Sequence, residues 1–206
     1  MLALDHIVIA AATLDEGAAY VQEKLGVDVP PGGEHTAMGT HNRVMSLGGE
    51  SYLEIIAIAP HLETPDRPRW FNLDNPPASP KLLTWVARTD DIYGLATDST
   101  VQLGLITPMT RGDLEWEIAI RDDGSMPQQG LFPTLIEWPE GTHPSSGMKD
   151  LGCSLKRLKI HTSTPNETRT HLQSIGADRL VQIIPTDDEP HLSAQIKTPT
   201  GLVTLD

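Results

Sequence analysis

Three polar residues sit inside runs that otherwise read as apolar β-strands: His6 in LDHIVIA, Glu54 in YLEII and Glu137 in LIEW. Imidazoles and carboxylates move protons and ligate metals, and those are the chemistries such residues could serve. A buried ionisable group costs free energy unless it is paired or ligated. Glu54 therefore needs a partner, either an arginine or a site. His6 is open between a hydrogen-bonded core histidine and a site residue. Glu137 lies near the end of its run and is open between a solvated position and a site. Two arginines are candidate anion anchors. Arg111 precedes GDLEWEI, where a surface salt bridge is the competing reading. Arg157, in LKRLKI, is a candidate partner for Glu54 or for a substrate carboxylate. His35 and His41 flank the segment around Met38 to Thr40, where they either line a cleft or face solvent. His143, in THP, and His161 carry the same two readings. Cys153, in DLGCSLKRL, reads as a packing residue, because no base partner can be assigned to it. Trp85, Trp116 and Trp138 stand in strand-like runs, as core residues or as a pocket wall.

The elements that must position these groups begin with the opening stretch. In LDHIVIA, Ile7 and Ile9 point to one face, and His6 and Val8 to the other. Thr13 and Glu16 then form a capping box, T-L-D-E. Leu14, Ala18, Val21 and Leu25 make one helical stripe, and Gly26 is placed to end it. HNRVMSLGG and SYLEIIAIA follow as strands around a Gly48-Gly49 turn. The first sixty residues read β-α-β-β-β.

That pattern returns. LKRLKIHTSTPNETRTHLQSIG lays Leu155 on Leu4, Leu158 on Ile7, Ile160 on Ile9 and Thr164 on Thr13. The second cap is T-P-N-E, with Pro165 at the first helical position. Between the two copies, KLLTWVART, DDIYGLATDS, GLITPMT, LEWEIAIRD and FPTLIEWPE form a weaker third. The expected architecture is α+β, a single domain over 1–206 built of βαβββ modules at about 1–60, 80–140 and 152–206. The segment APHLETPDRPRWFNLDNPPASP reads as a long irregular connection.

Composition narrows the partners. Twenty-eight acidic residues against fifteen basic ones give a net charge of -13. Such a surface is repelled by a phosphate backbone and by an anionic membrane, so neither nucleic acid nor membrane is the expected partner. No apolar run is long enough to span a bilayer, and the N-terminus lacks the pattern of a signal peptide. One cysteine allows no intrachain disulfide. The expectation is a soluble, cytoplasmic protein. No nucleophile elbow and no phosphate-binding glycine loop is present.

Residues LDHIVIA at 4–10, GTHN at 39–42, YLEII at 52–56, LIEW at 135–138 and TPTGLV at 198–203 resemble the vicinal oxygen chelate superfamily. Within it the chain is most similar to the glyoxalase-like domain proteins. The resemblance implies modules whose sheets curl into an open half-barrel around one cleft, the glyoxalase/dihydroxybiphenyl dioxygenase-like fold. It also implies a divalent metal in that cleft, Zn, Fe, Mn or Ni, chelated by a small-molecule substrate. His6 and Glu54 fall on the family's ligand positions in the first module, and Glu137 on the corresponding place in the middle one. An imidazole with two carboxylates is a ligand set with open sites. Arg157 matches His6 in the last module, and an arginine does not ligate. Arg111, Arg157, His35 and Asn42 are the substrate-binding candidates, and a homodimer is an assembly the resemblance allows.

Two functions follow from the resemblance. One is a metal-dependent lyase, isomerase or ring-cleaving dioxygenase with Glu137 moving the proton. The other is a metal-free protein that binds or sequesters a small molecule in the same cleft.

Overall fold

The computed structural model describes all 206 residues. The first run of elements is β1 (Ala3–Ala10), α1 (Leu14–Leu25), β2 (Pro31–His35), β3 (Thr40–Ser46) and β4 (Tyr52–Ile58). The second is β5 (Lys81–Arg88), α2 (Ile92–Asp98), β6 (Leu105–Arg111), β7 (Leu114–Ile120) and β8 (Thr134–Glu137). The third is β9 (Ser154–Thr162), α3 (Pro165–Ser174), β10 (Gln182–Pro185), β11 (His191–Thr198) and β12 (Gly201–Leu205).

Local signals explain most boundaries. The Thr13 hydroxyl accepts the Glu16 N–H at 3.2 Å, which satisfies one of the free donors at the start of α1. Gly26 ends that helix in the left-handed conformation, with φ 71°. Asp91 caps α2 by accepting the Gly94 N–H. The third helix departs from expectation. Thr164 makes no side-chain cap, and its own N–H is instead taken by the Thr162 hydroxyl.

Runs one and two form a single curved sheet in the order β2-β3-β4-β1-β5-β8-β7-β6. In both, the first strand lies parallel to the last, β1 with β4 and β5 with β8. The third run forms a separate four-stranded sheet in the order β10-β9-β11-β12. There the first strand pairs in parallel with β10, the strand directly after the helix, and β12 goes to the edge. The sequence pattern repeats three times, but the topology repeats only twice.

Alternation along the strands builds two cores. Ile7, Ile9, Leu53, Ile55, Trp85 and Leu135 share one buried cluster with α1, α3 and the inner face of the second sheet. Val8, Ile56, Val86, Ile118 and Ile136 belong to a second cluster on the opposite, concave face. The segment after β4 completes that second cluster: Trp70, Phe71 and Leu73 pack into it. Asp74 holds the base of this insertion by accepting from the Arg69 backbone and guanidinium. The connection is thus irregular, as its Pro and Asp content implies, and it also fills much of the cleft.

Candidate binding pocket

His6 projects from β1 to the concave face, in step with Val8, and Glu54 projects from the neighbouring β4 in step with Ile56. His6 Nε2 lies 3.5 Å from Glu54 Oε2. The other ring nitrogen, Nδ1, is 2.6 Å from Asp5 Oδ1. Consecutive strand residues ordinarily face opposite ways. Here Leu4 pairs with Ala87 and His6 with Val86, so Asp5 is the extra residue of a β-bulge, the kind of irregularity that re-aims a side chain. Asp5 is fully buried and accepts from His6, from Trp138 Nε1 at 3.0 Å and from His143 Nε2 at 3.0 Å. Asn42 donates to Glu54 Oε1 at 2.6 Å while its own carbonyl accepts from the Gly33 N–H. The Tyr52 ring stacks on the imidazole at 4.5 Å.

This network is charged. Burial alone would push the His6 imidazole down, but its hydrogen bonds to Asp5 and Glu54 outweigh that and lift it to about 9. Burial would raise the Glu54 carboxyl, but the bond and charge of His6 bring it to about 2. Asp5 is held well below the usual carboxylate range, its burial outweighed by hydrogen bonds from His143 and His6. His35 differs. Its burial, unopposed by any hydrogen-bonded carboxylate, lowers it to about 4, so it stays neutral at pH 7. It meets the Thr40 hydroxyl at 3.1 Å and sits edge-on to Trp70 and Trp116.

His6 and Glu54 form the floor of a narrow pocket walled by Trp70, Phe71, Trp116 and Trp138. His35 and Arg111 also line it. Its free volume, about 20 Å³ for the centre of a water molecule, holds roughly one water. On its outer side Arg111 borders an open groove that runs past Gly32 and Gly33 to residues 141–148.

Several sequence candidates lie elsewhere. Glu137 is turned to the face of β8 opposite Ile136, and its Oε2 accepts the Ile92 N–H at 2.8 Å at the start of α2. The strand register gives the reason. It sets Val8 opposite Glu54 and Val86 opposite Thr134, so Thr134 occupies the place in the second run that Glu54 holds in the first. Thr84, two residues before Val86, stands likewise for His6. Arg157 is exposed on β9 of the second sheet, opposite Gln195, and takes no part in the pocket, because the third run does not repeat the topology of the first. His41 lies against His61, and His161 stacks on His191 in the second sheet. The Cys153 thiol is pushed up by burial, which suits a packing residue. Trp85 is core, whereas Trp116 and Trp138 wall the pocket. Asp5, Trp70 and Phe71 escape sequence reasoning. An acid beside His6 in a buried strand, and a Trp-Phe pair inside a Pro-rich connection, are the signals that would have found them.

The family described as the glyoxalase-like domain matches residues 4–176. The chain belongs to that family. This agrees with the vicinal oxygen chelate motifs of the sequence and with the curved mixed sheet. A solved structure of a hypothetical protein from Staphylococcus aureus is 15% identical, over 99% of this chain and 84% of its own, with a TM-score of 0.64. That likeness concerns the fold. Methylmalonyl-CoA epimerase from Mycobacterium tuberculosis is 19% identical, over 66% of this chain and 87% of its own, at a TM-score of 0.45. A variant of 4-hydroxymandelate synthase from Streptomyces coelicolor is 14% identical, over 99% of this chain and 62% of its own, at 0.49. No curated protein matches the chain. No helix is long and apolar enough to cross a membrane.

The superfamily implies a divalent metal, and the donor set here does not fit one. His6 Nε2 and Glu54 Oε2 supply two donors 3.5 Å apart, with Asp5 on the other ring nitrogen, and two donors do not make a site. The positions that would complete the set are threonines, and no three His, Cys, Asp or Glu side chains are grouped to hold an ion.

Proposed function

We propose that this glyoxalase-like protein binds a small organic molecule, without a metal, in the pocket above His6 and Glu54. One observation carries the reading. The strand register puts Thr84 and Thr134 where the second run would supply the remaining ligands, which leaves His6 and Glu54 as two donors only. A bound metal ion ordinarily takes at least three protein ligands.

The same network argues for binding over proton transfer. An acid or base works best with a pKa near the working pH. His6 at about 9 and Glu54 at about 2 are each displaced away from it. They stabilise one another's charge and fix the floor of the pocket. The single buried thiol suits a reducing, cytoplasmic compartment.

The test is metal analysis of protein purified without a polyhistidine tag from metal-replete cells, beside a thermal-shift screen of small organic molecules. Substoichiometric metal with ligand-induced stabilisation is the expected result. One equivalent of divalent metal that is lost on His6→Ala would overturn the proposal and restore the metal-dependent lyase, isomerase or dioxygenase.

A further inference from the structure

Buried donors in folded proteins nearly always find an acceptor. Three buried side-chain atoms here do not: Arg67 Nε, Trp70 Nε1 and Trp116 Nε1. Two of the three belong to indoles that wall the pocket. Arg111 adds a third spare donor group. Its guanidinium makes no hydrogen bond or ion pair, in a chain where acids outnumber bases 28 to 15. The local acceptors are already committed. Glu54 receives Asn42 and faces His6, and Asp5 receives His6, Trp138 and His143.

Arg111 reaches the pocket from the end of β6. It crosses β2 above Gly33, where an added Cβ would stand 2.8 Å from Arg111 Cδ. The glycine lets the side chain cross there without shifting. The guanidinium is thereby set at the boundary between the inner pocket and the open groove.

A pocket with surplus donors, carboxylates that are already engaged and aromatic walls is complementary to a flat ligand rich in acceptors. We infer that it takes an aromatic carboxylate, with the carboxylate on Arg111 and a ring oxygen on the indole N–H groups. A carboxylate is the natural partner of a guanidinium, which presents paired donors in a plane. The ring takes the place of Phe71. Trp70 and Phe71 separate this pocket from a smaller cavity beside Ile120 and Thr134, so withdrawal of Phe71 joins the two. This rests on the metal-free binding reading above.

The experiment titrates the purified protein with 4-hydroxybenzoate, benzoate and their neutral counterparts 4-hydroxybenzamide and benzamide. Tryptophan fluorescence and calorimetry are the readouts. The hydroxybenzoate should bind about tenfold or more tightly than its amide. Arg111→Gln should remove that preference while leaving the melting temperature unchanged, and Arg111→Lys should keep part of it. Trp116→Phe should erase the advantage of hydroxybenzoate over benzoate. Equal binding of acids and amides, an Arg111→Gln variant that binds like the parent, or binding by none of the four compounds would overturn the inference. Metal content of the same preparation decides the underlying reading separately, since one equivalent of metal sinks that reading whatever the titrations show.

Discussion

His6 and Glu54 face each other across adjacent parallel strands, their charged ends 3.5 Å apart and both nearly excluded from solvent. Breaking such a pair leaves a buried charge without compensation, which typically costs about 3–5 kcal/mol. His6→Asn should therefore destabilise the protein by that amount in urea unfolding at pH 7. The double variant His6→Asn/Glu54→Gln should recover part of the loss, because no lone carboxylate then remains at position 54. A loss below about 1 kcal/mol in the single variant would mean that water reaches the pair and screens it.

Stability should peak near pH 6.5. His6 is raised from 6.5 to about 9, so its contribution is complete below 6.5 and is lost as pH rises through 9. Glu54 is lowered from 4.5 to about 2, so its contribution holds above 4.5 and is lost as pH falls through 2. His35 narrows the acid side further. It is depressed from 6.5 to about 4, so the unfolded chain takes its proton first and stability falls from 6.5 towards 4. Melting temperatures measured from pH 3 to 10 check this. A flat profile between 6.5 and 9 would show that His6 is not held protonated.

Strand alternation made the facing of His6, Val8, Glu54 and Ile56 legible, because one period-2 pattern decides which side each residue takes. It failed at Asp5, since a bulge breaks the period and only the pairing partner reveals it. It also failed at Glu137. There LIEW resembles YLEII in composition, but the ladder puts Thr134, three residues earlier, in the place of Glu54. Arg157 was misplaced for a topological reason. A β-α-β-β-β order in sequence does not say whether the first strand pairs with the last or with the next, and the third run chose the next. The cleft-filling role of Trp70 and Phe71 depends on where an irregular segment docks, for which the chain carries no periodic signal.

Glu137 should act at α2 and nowhere else. Its carboxylate accepts the Ile92 N–H at the helix start, where a negative charge is also favoured by the helix dipole. Glu137→Gln should cost about 1 kcal/mol of stability and leave metal content and hydroxybenzoate binding unchanged. A variant that folds normally but no longer binds would return Glu137 to the site.

Gly17 tests how α1 seats on the large sheet. An added Cβ there would lie 2.4 Å from Ile55 Cγ2 and 3.2 Å from Ala11 Cβ. Helix propensity alone favours alanine by about 1 kcal/mol. Overpacking a core contact costs about 1–3 kcal/mol. The clash should win, and Gly17→Ala should lower the melting temperature. Ile55→Ala in the same chain removes the opposing Cγ2 methyl and should narrow the difference.

Phe71 connects the stability of the fold to the size of the pocket. It is buried between Trp70 and the strands of the concave face, yet its backbone is left-handed at φ 54°, a region that penalises a side chain by about 1–2 kcal/mol. Removing the ring should cost about 3–5 kcal/mol from lost burial and the cavity left behind. Glycine and alanine should then part in an unusual order. Glycine ordinarily destabilises relative to alanine, but at a left-handed position it relieves strain. Phe71→Gly should therefore be more stable than Phe71→Ala by about 1 kcal/mol in urea unfolding. Both variants vacate the volume that an aromatic ring needs, so both should bind 4-hydroxybenzoate more tightly than the parent. Weaker binding in both, with the fold intact by circular dichroism, would show that Phe71 is a fixed wall of the pocket and that the ligand lies in the outer groove past Arg111.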